Sequence, residues 1–178
     1  MVIREDEKIY LVRVLFERYE SKLLRYTMRF IPEQTARDVV QDAFLKLWTI
    51  DNSLTEDHVV QWLYTVCRNR AIDILRRDKR MTPLDHSDET VMASGEDVAA
   101  DYETQARVEL ARSFMKMLGE KEREVIRLKF QDGLSYAQIS AITGHSVSHV
   151  GVLIHNALVH LRQKMNRVEN VTPLRGTP

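Results

Sequence analysis

The side chains with most to offer a partner lie between Arg68 and Arg80. Arg68, Arg70, Arg76, Arg77, Lys79 and Arg80 stand there against Asp73 and Asp78, a local charge of +4 in a chain whose formal net charge is +0. A cationic run of this density in a neutral chain suits a polyanion. Trp62 and Tyr64 lie just upstream, and aromatic faces beside a basic track are what unstacked bases use when a protein holds a single strand. The chemistry on offer is non-covalent, charge neutralisation together with stacking. On these residues alone two plainer roles stay open. Cations at a helix end are favoured by the macrodipole whether or not anything binds them, and aromatics at helical spacing are commonly core.

No reaction centre is legible. His145, His149, His155 and His160 share no single helical face and come without an HExxH pattern or a cysteine partner, so no metal is expected. Cys67 is the only cysteine and falls on an apolar face, which makes it a buried thiol and excludes an internal disulfide. No acid/base or nucleophile constellation argues for an enzyme, and no cofactor is implied.

The elements that position the cationic run are helical. Gly and Pro number only 6 and 4, and no sustained alternation of β-branched residues occurs, so the fold class is all-α. From Glu5 to Phe30, Ile9, Val12, Leu15 or Phe16, Tyr19, Leu23, Tyr26 and Phe30 recur at steps of three and four, a helix expected to end at Pro32. A second helix over Glu33 to Thr49 has Ala36, Val40, Ala43 and Leu47 as its core stripe. Thr35, Asp38, Gln41, Asp42 and Leu45 occupy its other side, and a Leu among acids and amides suggests a protein interface. Thr55, Glu56 and Asp57 form a helix start, opening the helix that carries the basic run. Leu63, Cys67, Ala71 and Ile74 form its buried stripe, with Asp51, Asn52 and Ser53 placed near its aromatic face.

Beyond Arg80 the composition inverts. Leu84 to Leu110 holds eight acids against Arg107, and Pro83, Ser87, Ser94 and Gly95 mark its first half as a linker. The expected organisation is two small helical domains, residues 1–82 and 108–178, joined by an acidic linker, 83–107. The start, MVIREDEKIYLVRVLF, has no uncharged apolar core, and no window approaches the ~20 apolar residues of a membrane span. A soluble, cytoplasmic protein without membrane contact is expected.

The second domain contains the sharpest local pattern. Glu120 to Phe130 reads as a helix, and Gln131-Asp132-Gly133 turns the chain. Ser135 with Gln138 is a capping box that opens a short helix through Ile142. Gly144 supplies a tight turn, Ser146 a cap, and Val147, Val150, Ile154 and Leu161 the stripe of a long last helix. This is a helix-turn-helix, whose second helix commonly enters the major groove.

Both halves together resemble the extracytoplasmic-function sigma factors of bacterial RNA polymerase, from about Phe16 to Met165. DVVQDAFLKLW is similar to the family's clamp-binding helix, with Asp38, Gln41 and Phe44 at the positions of its D-x-x-Q-x-x-F pattern. WLYTVCRNRAIDILRRDKR resembles its promoter-melting, minus-ten-reading helix, and LGEKEREVIRLKFQDGLSYAQISAITGHSVSHV its minus-thirty-five-reading domain. The resemblance implies a transcription initiation factor that binds the clamp of the largest subunit of core RNA polymerase through Thr35, Asp38, Gln41, Asp42, Phe44 and Leu45. Melting and minus-ten reading would fall to Asn52, Trp62, Tyr64, Arg68, Asn69, Asp73, Arg76, Arg77, Lys79 and Arg80. Duplex reading would fall to Ser135, Tyr136, Ser146, Ser148, His149, His155 and Asn156. Promoter DNA, duplex and single-stranded, is the implied partner, and an anti-sigma factor or a Ser/Thr kinase the implied regulator. The rival is an ordinary helix-turn-helix regulator that acts without clamp binding.

Two departures from the family stand out. The last helix reads VGVLIHNALVHLR, with Gly151, Leu153, Asn156 and Leu158 where the family often has bases. Phosphate contact is then weaker or comes from Arg123, Arg127, Lys129, Arg162 and Lys164. Secondly, Thr35-Ala36-Arg37-Asp38 replaces two acids of the family's Asp-Ala-Glu-Asp run. Phosphorylation of Thr35 would restore negative charge beside Asp38 and Asp42.

Overall fold

The computed structural model describes residues 5–50, 55–81 and 102–171, and every structural element among them is helical. Asp51, Asn52, Ser53 and the first part of the acidic stretch lie outside the described residues. The chain divides into two compact units between Gly95 and Glu96. No helix among the described residues is long and apolar enough to cross a membrane.

The first unit comprises α1 (Glu5–Thr27), α2 (Glu33–Thr49) and α3 (Glu56–Met81). Its core joins Leu15, Leu23 and Tyr26 of α1 to Val39, Val40, Ala43 and Leu47 of α2 and to Val59, Leu63, Cys67 and Ala71 of α3. Two aromatic contacts fasten α1 to its neighbours, Phe16 edge-on to Phe44 at 5.0 Å and Tyr26 tilted against Tyr64 at 5.2 Å. The first helix stops at Thr27, short of the expected Phe30. Met28 to Phe30 form a tight turn closed by the Phe30 N–H to the Thr27 carbonyl, 3.0 Å. Pro32 therefore does not break α1. It precedes α2 at φ −57°, ψ 153°, and its carbonyl accepts the Ala36 N–H at 2.9 Å. Ile9, expected in the stripe of α1, is exposed.

The second unit comprises α4 (Tyr102–Met117), α5 (Glu120–Ile126) running into a π-helical turn (Arg127–Gln131), α6 (Tyr136–Thr143) and α7 (Val147–Val171). Val125, Leu128, Leu134, Ile139, Ile142, Val150, Ile154 and Ala157 form its core. The π turn bonds the Asp132 N–H to the Arg127 carbonyl at 3.1 Å. It leaves Phe130 exposed although Val125, Ile126 and Leu128 before it are buried. The helix-turn-helix is pinned at three points. Ser135 and Gln138 exchange backbone-to-side-chain bonds of 3.2 and 2.8 Å. Gly144 takes φ 76°, which only glycine adopts without strain. Ser146 Oγ accepts the His149 N–H at 3.2 Å and so caps α7.

Candidate polymerase and nucleic-acid interfaces

Helix α2 separates cleanly into two sides. Ala36, Val40, Ala43 and Leu47 are buried, whereas Asp38, Gln41, Asp42 and Leu45 are exposed and Thr35 is half-buried. Leu45 is 60% exposed, a large apolar side chain held in solvent one turn past Asp42. Phe44, expected at the same interface, is 5% exposed and faces Phe16 inside the unit. Four residues after Val40, it shares the core side of the helix, so it packs behind the exposed side. Arg37 pairs with Glu33 one turn back, Nη2 to Oε1 at 2.5 Å. With Pro32 at the N-cap, no side chain caps α2.

On α3, Trp62, Asn69, Asp73, Arg76 and Arg80 form one row, because steps of seven, four, three and four return to the same side. Asn69, Asp73, Arg76, Arg77, Lys79 and Arg80 are exposed, and Trp62 and Arg68 are half-buried. Tyr64 is a correction: at 1% exposure it packs on Tyr26 in the core. Two residues past Trp62 it lies about 200° around the helix and cannot share that face. The stacking surface reduces to Trp62. Asn52 lies outside the described residues. Cys67 is buried, and loss of solvent pushes its thiol up to about 12 against a lesser lowering by its bond with Thr27. The start of α3 is tied to α1 by Glu56, which accepts from Arg18 Nη1 at 2.8 Å and Tyr19 OH at 3.1 Å. Thr55 Oγ1 pairs with His58 Nδ1 at 2.8 Å. Outside the expected set, Lys8 Nζ donates to the Ile50 carbonyl at 2.9 Å and lies over the Trp48 ring, closing the C-terminal end of α2. No spacing signal in the sequence connects residues 42 positions apart.

In the second unit Ser148, His149, His155 and Asn156 are exposed on α7, and Ser135, Tyr136 and Ser146 stand exposed beside them. Ser135 and Ser146 are both engaged as caps. Tyr136 leans on the helix where Gly151 lacks a side chain: a Cβ there would meet its ring at 3.8 Å. Lys129 Nζ lies over the same ring, 5.4 Å from its centroid, and donates to the Leu134 carbonyl at 3.3 Å. Arg123 is spent on the end of α4, donating to the carbonyls of Met115, Lys116 and Leu118 at 2.9, 3.3 and 2.9 Å. These bonds make it a cap on the end of α4. Leu153 is 9% exposed and belongs to the core. His160 Nδ1 lies 3.5 Å from Glu122, joining α7 to α5, and His145 meets His149 edge-on at 5.0 Å. Among the described residues no His, Cys, Asp and Glu gather into a metal site.

Comparison with known proteins is consistent across the chain. Residues 15–81 match the family model for sigma-70 region 2, and residues 109–161 that for sigma-70 region 4. The extracytoplasmic-function RNA polymerase sigma factor RpoE of Cereibacter sphaeroides is 30% identical over 162 residues, covering 85% of this chain and 84% of that protein. The sigma-E factor of Escherichia coli is 29% identical over 88% of this chain and 86% of its own. YlaC, an RNA polymerase sigma factor of Bacillus subtilis, is 26% identical over 86% and 91%. Among solved structures, CnrH in complex with the cytosolic domain of CnrY aligns with a TM-score of 0.55 at 27% identity, covering 88% of each chain. RpoE of Bartonella quintana, in complex with the anti-sigma factor NepR, shares the fold with a TM-score of 0.62 at 18% identity, covering 86% of this chain and 96% of that one.

Proposed function

This chain belongs to the sigma-70 family, in its extracytoplasmic-function branch, and on that premise we propose how its faces divide the work of transcription initiation. Asp38, Gln41, Asp42 and Leu45 of α2 dock on the clamp of the largest subunit of core RNA polymerase. The Trp62 to Arg80 row of α3 holds opened promoter DNA at the minus-ten element. Helix α7 enters the major groove at the minus-thirty-five element, with residues 1–82 and 108–178 as the working domains and the acidic segment as their tether. The observation that carries this reading is the two-sidedness of α2 and α3, each buried along one stripe and left exposed and charged along the other. The work is non-covalent. Phosphate neutralisation and stacking favour the opened strand over the duplex and offset an unstacking cost of a few kcal/mol per step. Its partner places the protein in the cytoplasm.

The test is in vitro transcription from a genomic promoter library with core polymerase, beside a gel shift with and without core. Duplex binding by the chain alone, with no stimulation of core, would favour a plain helix-turn-helix regulator instead.

A control point at Thr35 is favoured by the uncapped start of α2. The side chain sits in the first turn, where free N–H groups and the dipole attract an anion. A phosphate there would add about −1.5 to −2 charge beside Asp38 and Asp42. Core affinity should rise on treatment with a Ser/Thr kinase and stay flat in Thr35→Ala. Full core binding by unmodified protein, unchanged by the kinase, would remove the switch and leave an anti-sigma partner as the candidate regulator.

A further inference from the structure

From Val147 to Leu161, α7 carries no Asp, Glu, Lys or Arg, although half of each turn is exposed. Its buried side is Val150, Leu153, Ile154 and Ala157. Diametrically opposite runs the row Ser148, Val152, His155, Val159, at steps of four, three and four. Val152 is 52% exposed at the middle of its reading half, one turn from Ser148 and one from His155. A solvated helix face is ordinarily built of charges and amides, and a phosphate-tracking face of Lys and Arg. This row is neither.

On one flank of the row Tyr136 leans on Gly151, and Lys129 Nζ lies over its ring. That flank sets an aromatic ring against Gly151, the residue before Val152. Ser148 to His155 spans about 10 Å along the axis, the height of roughly three base pairs at 3.4 Å each. In the major groove the one apolar feature that distinguishes a base is the C5-methyl of thymine.

We infer that Val152 is a specificity-determining residue: it packs on a thymine methyl in the minus-thirty-five element, so that this factor selects its upstream element partly by apolar contact. Val152 is not among the readers expected from the sequence. The inference rests on the assignment of α7 to the minus-thirty-five element and adds the base chemistry that it reads.

Holoenzyme assembled from the full chain and core RNA polymerase is used to select duplexes from a pool randomised across the upstream element. The selected duplex is then remade with deoxyuridine in place of each thymine in turn, which removes one methyl group and nothing else. One such exchange should weaken wild-type holoenzyme about fourfold, the equivalent of one buried methyl. Val152→Ala should bind the thymine duplex correspondingly weaker and ignore that exchange, while Val152→Ile should keep the sensitivity. Because Val152 is exposed, both variants should melt like the wild type. A selected element without thymine, a wild type indifferent to every exchange, or a Val152→Ala holoenzyme as sensitive as wild type overturns the inference alone. A holoenzyme that initiates transcription but selects no upstream sequence overturns the assignment of α7, and the inference with it.

Discussion

Phe44 and Leu45 are neighbours in sequence and opposites in the fold, which makes them a sharp test of how α2 works. Phe44→Ala removes a ring that is 5% exposed and in edge-on contact with Phe16. Truncation of a buried Phe costs about 3–5 kcal/mol, which includes the ~0.5–1.5 kcal/mol of an aromatic pair. A small domain has only about 5–15 kcal/mol in all, and each kcal/mol shifts Tm by roughly 4–8 °C at this size. A loss of about 3 kcal/mol should therefore lower the melting of the first unit by ~12–24 °C. The two tryptophans, Trp48 and Trp62, both lie in that unit, so their fluorescence follows its unfolding without interference from the second. Leu45→Ala, by contrast, removes a side chain that is 60% exposed and should leave Tm within ~1–2 °C, in line with surface substitutions of ±0.5 kcal/mol. Affinity for core polymerase, measured by fluorescence anisotropy at 10–15 °C where both variants are folded, should fall about tenfold or more for Leu45→Ala and little for Phe44→Ala. An unshifted Tm in Phe44→Ala together with lost core binding would mean that Phe44 touches the polymerase directly, and the division of α2 into supporting and docking sides would be wrong.

Other outcomes follow from the same geometry. Arg76→Ala with Arg77→Ala should impair promoter opening, read by permanganate footprinting, while core binding stays unchanged, and the defect should narrow as salt rises; normal opening would remove these residues from the DNA face. Native Cys67 should resist alkylation at pH 8 and react once the protein is denatured, since burial holds its thiol protonated up to about 12. The sign for stability follows. The unfolded thiol ionises from about 8.5 upward and the folded one does not, so this contribution is intact below that pH and is lost as pH rises towards 12. Stability that climbs over that interval in a Cys67-dependent way would contradict the burial. Gly144→Ala should cost about 1–2 kcal/mol from its φ of 76° alone, because no atom lies within 4 Å of the added Cβ; a neutral result in thermal melts would mean the turn has another conformation in solution.

The all-helical character, the turn at Gly144 and the Ser135–Gln138 box were legible because each depends on local spacing, and local spacing is what a sequence displays. The two-sidedness of α2 was legible for the same reason. Tyr64 and Phe44 face the core because an aromatic beside a basic run, or one matching a family pattern, still lies where 100° per residue puts it. The roles of Arg123 and Lys8 were not legible at all. Both satisfy carbonyls at helix ends, and which cation reaches which end is settled only when the chain has folded. The end of α1 was misread because Pro32 looked like its terminator, whereas the chain had already turned at Met28 to Phe30.

The distribution of charge between α3 and α7 has a consequence for how promoter recognition would proceed on the proposed assignment. Fixed cations cluster at Arg76, Arg77, Lys79 and Arg80, whereas α7 has none before Arg162, and Arg123 and Lys129 both donate to backbone carbonyls within the second unit. Counterion release, the source of salt dependence, scales with the number of phosphates neutralised. Binding of the upstream duplex by the second unit should then be weak and only mildly sensitive to salt, governed by hydrogen bonds and apolar contact. Holding the opened strand should be the salt-sensitive step. On that assignment the two units would bear on different stages, and a modest duplex affinity would not limit the factor: docking through α2 would bring both to the promoter on one polymerase, and linked sites gain from effective concentration what each lacks alone. Selectivity would then reside in the uncharged reader and driving force in the charged one, which would let a chain of zero net charge open DNA without binding it indiscriminately.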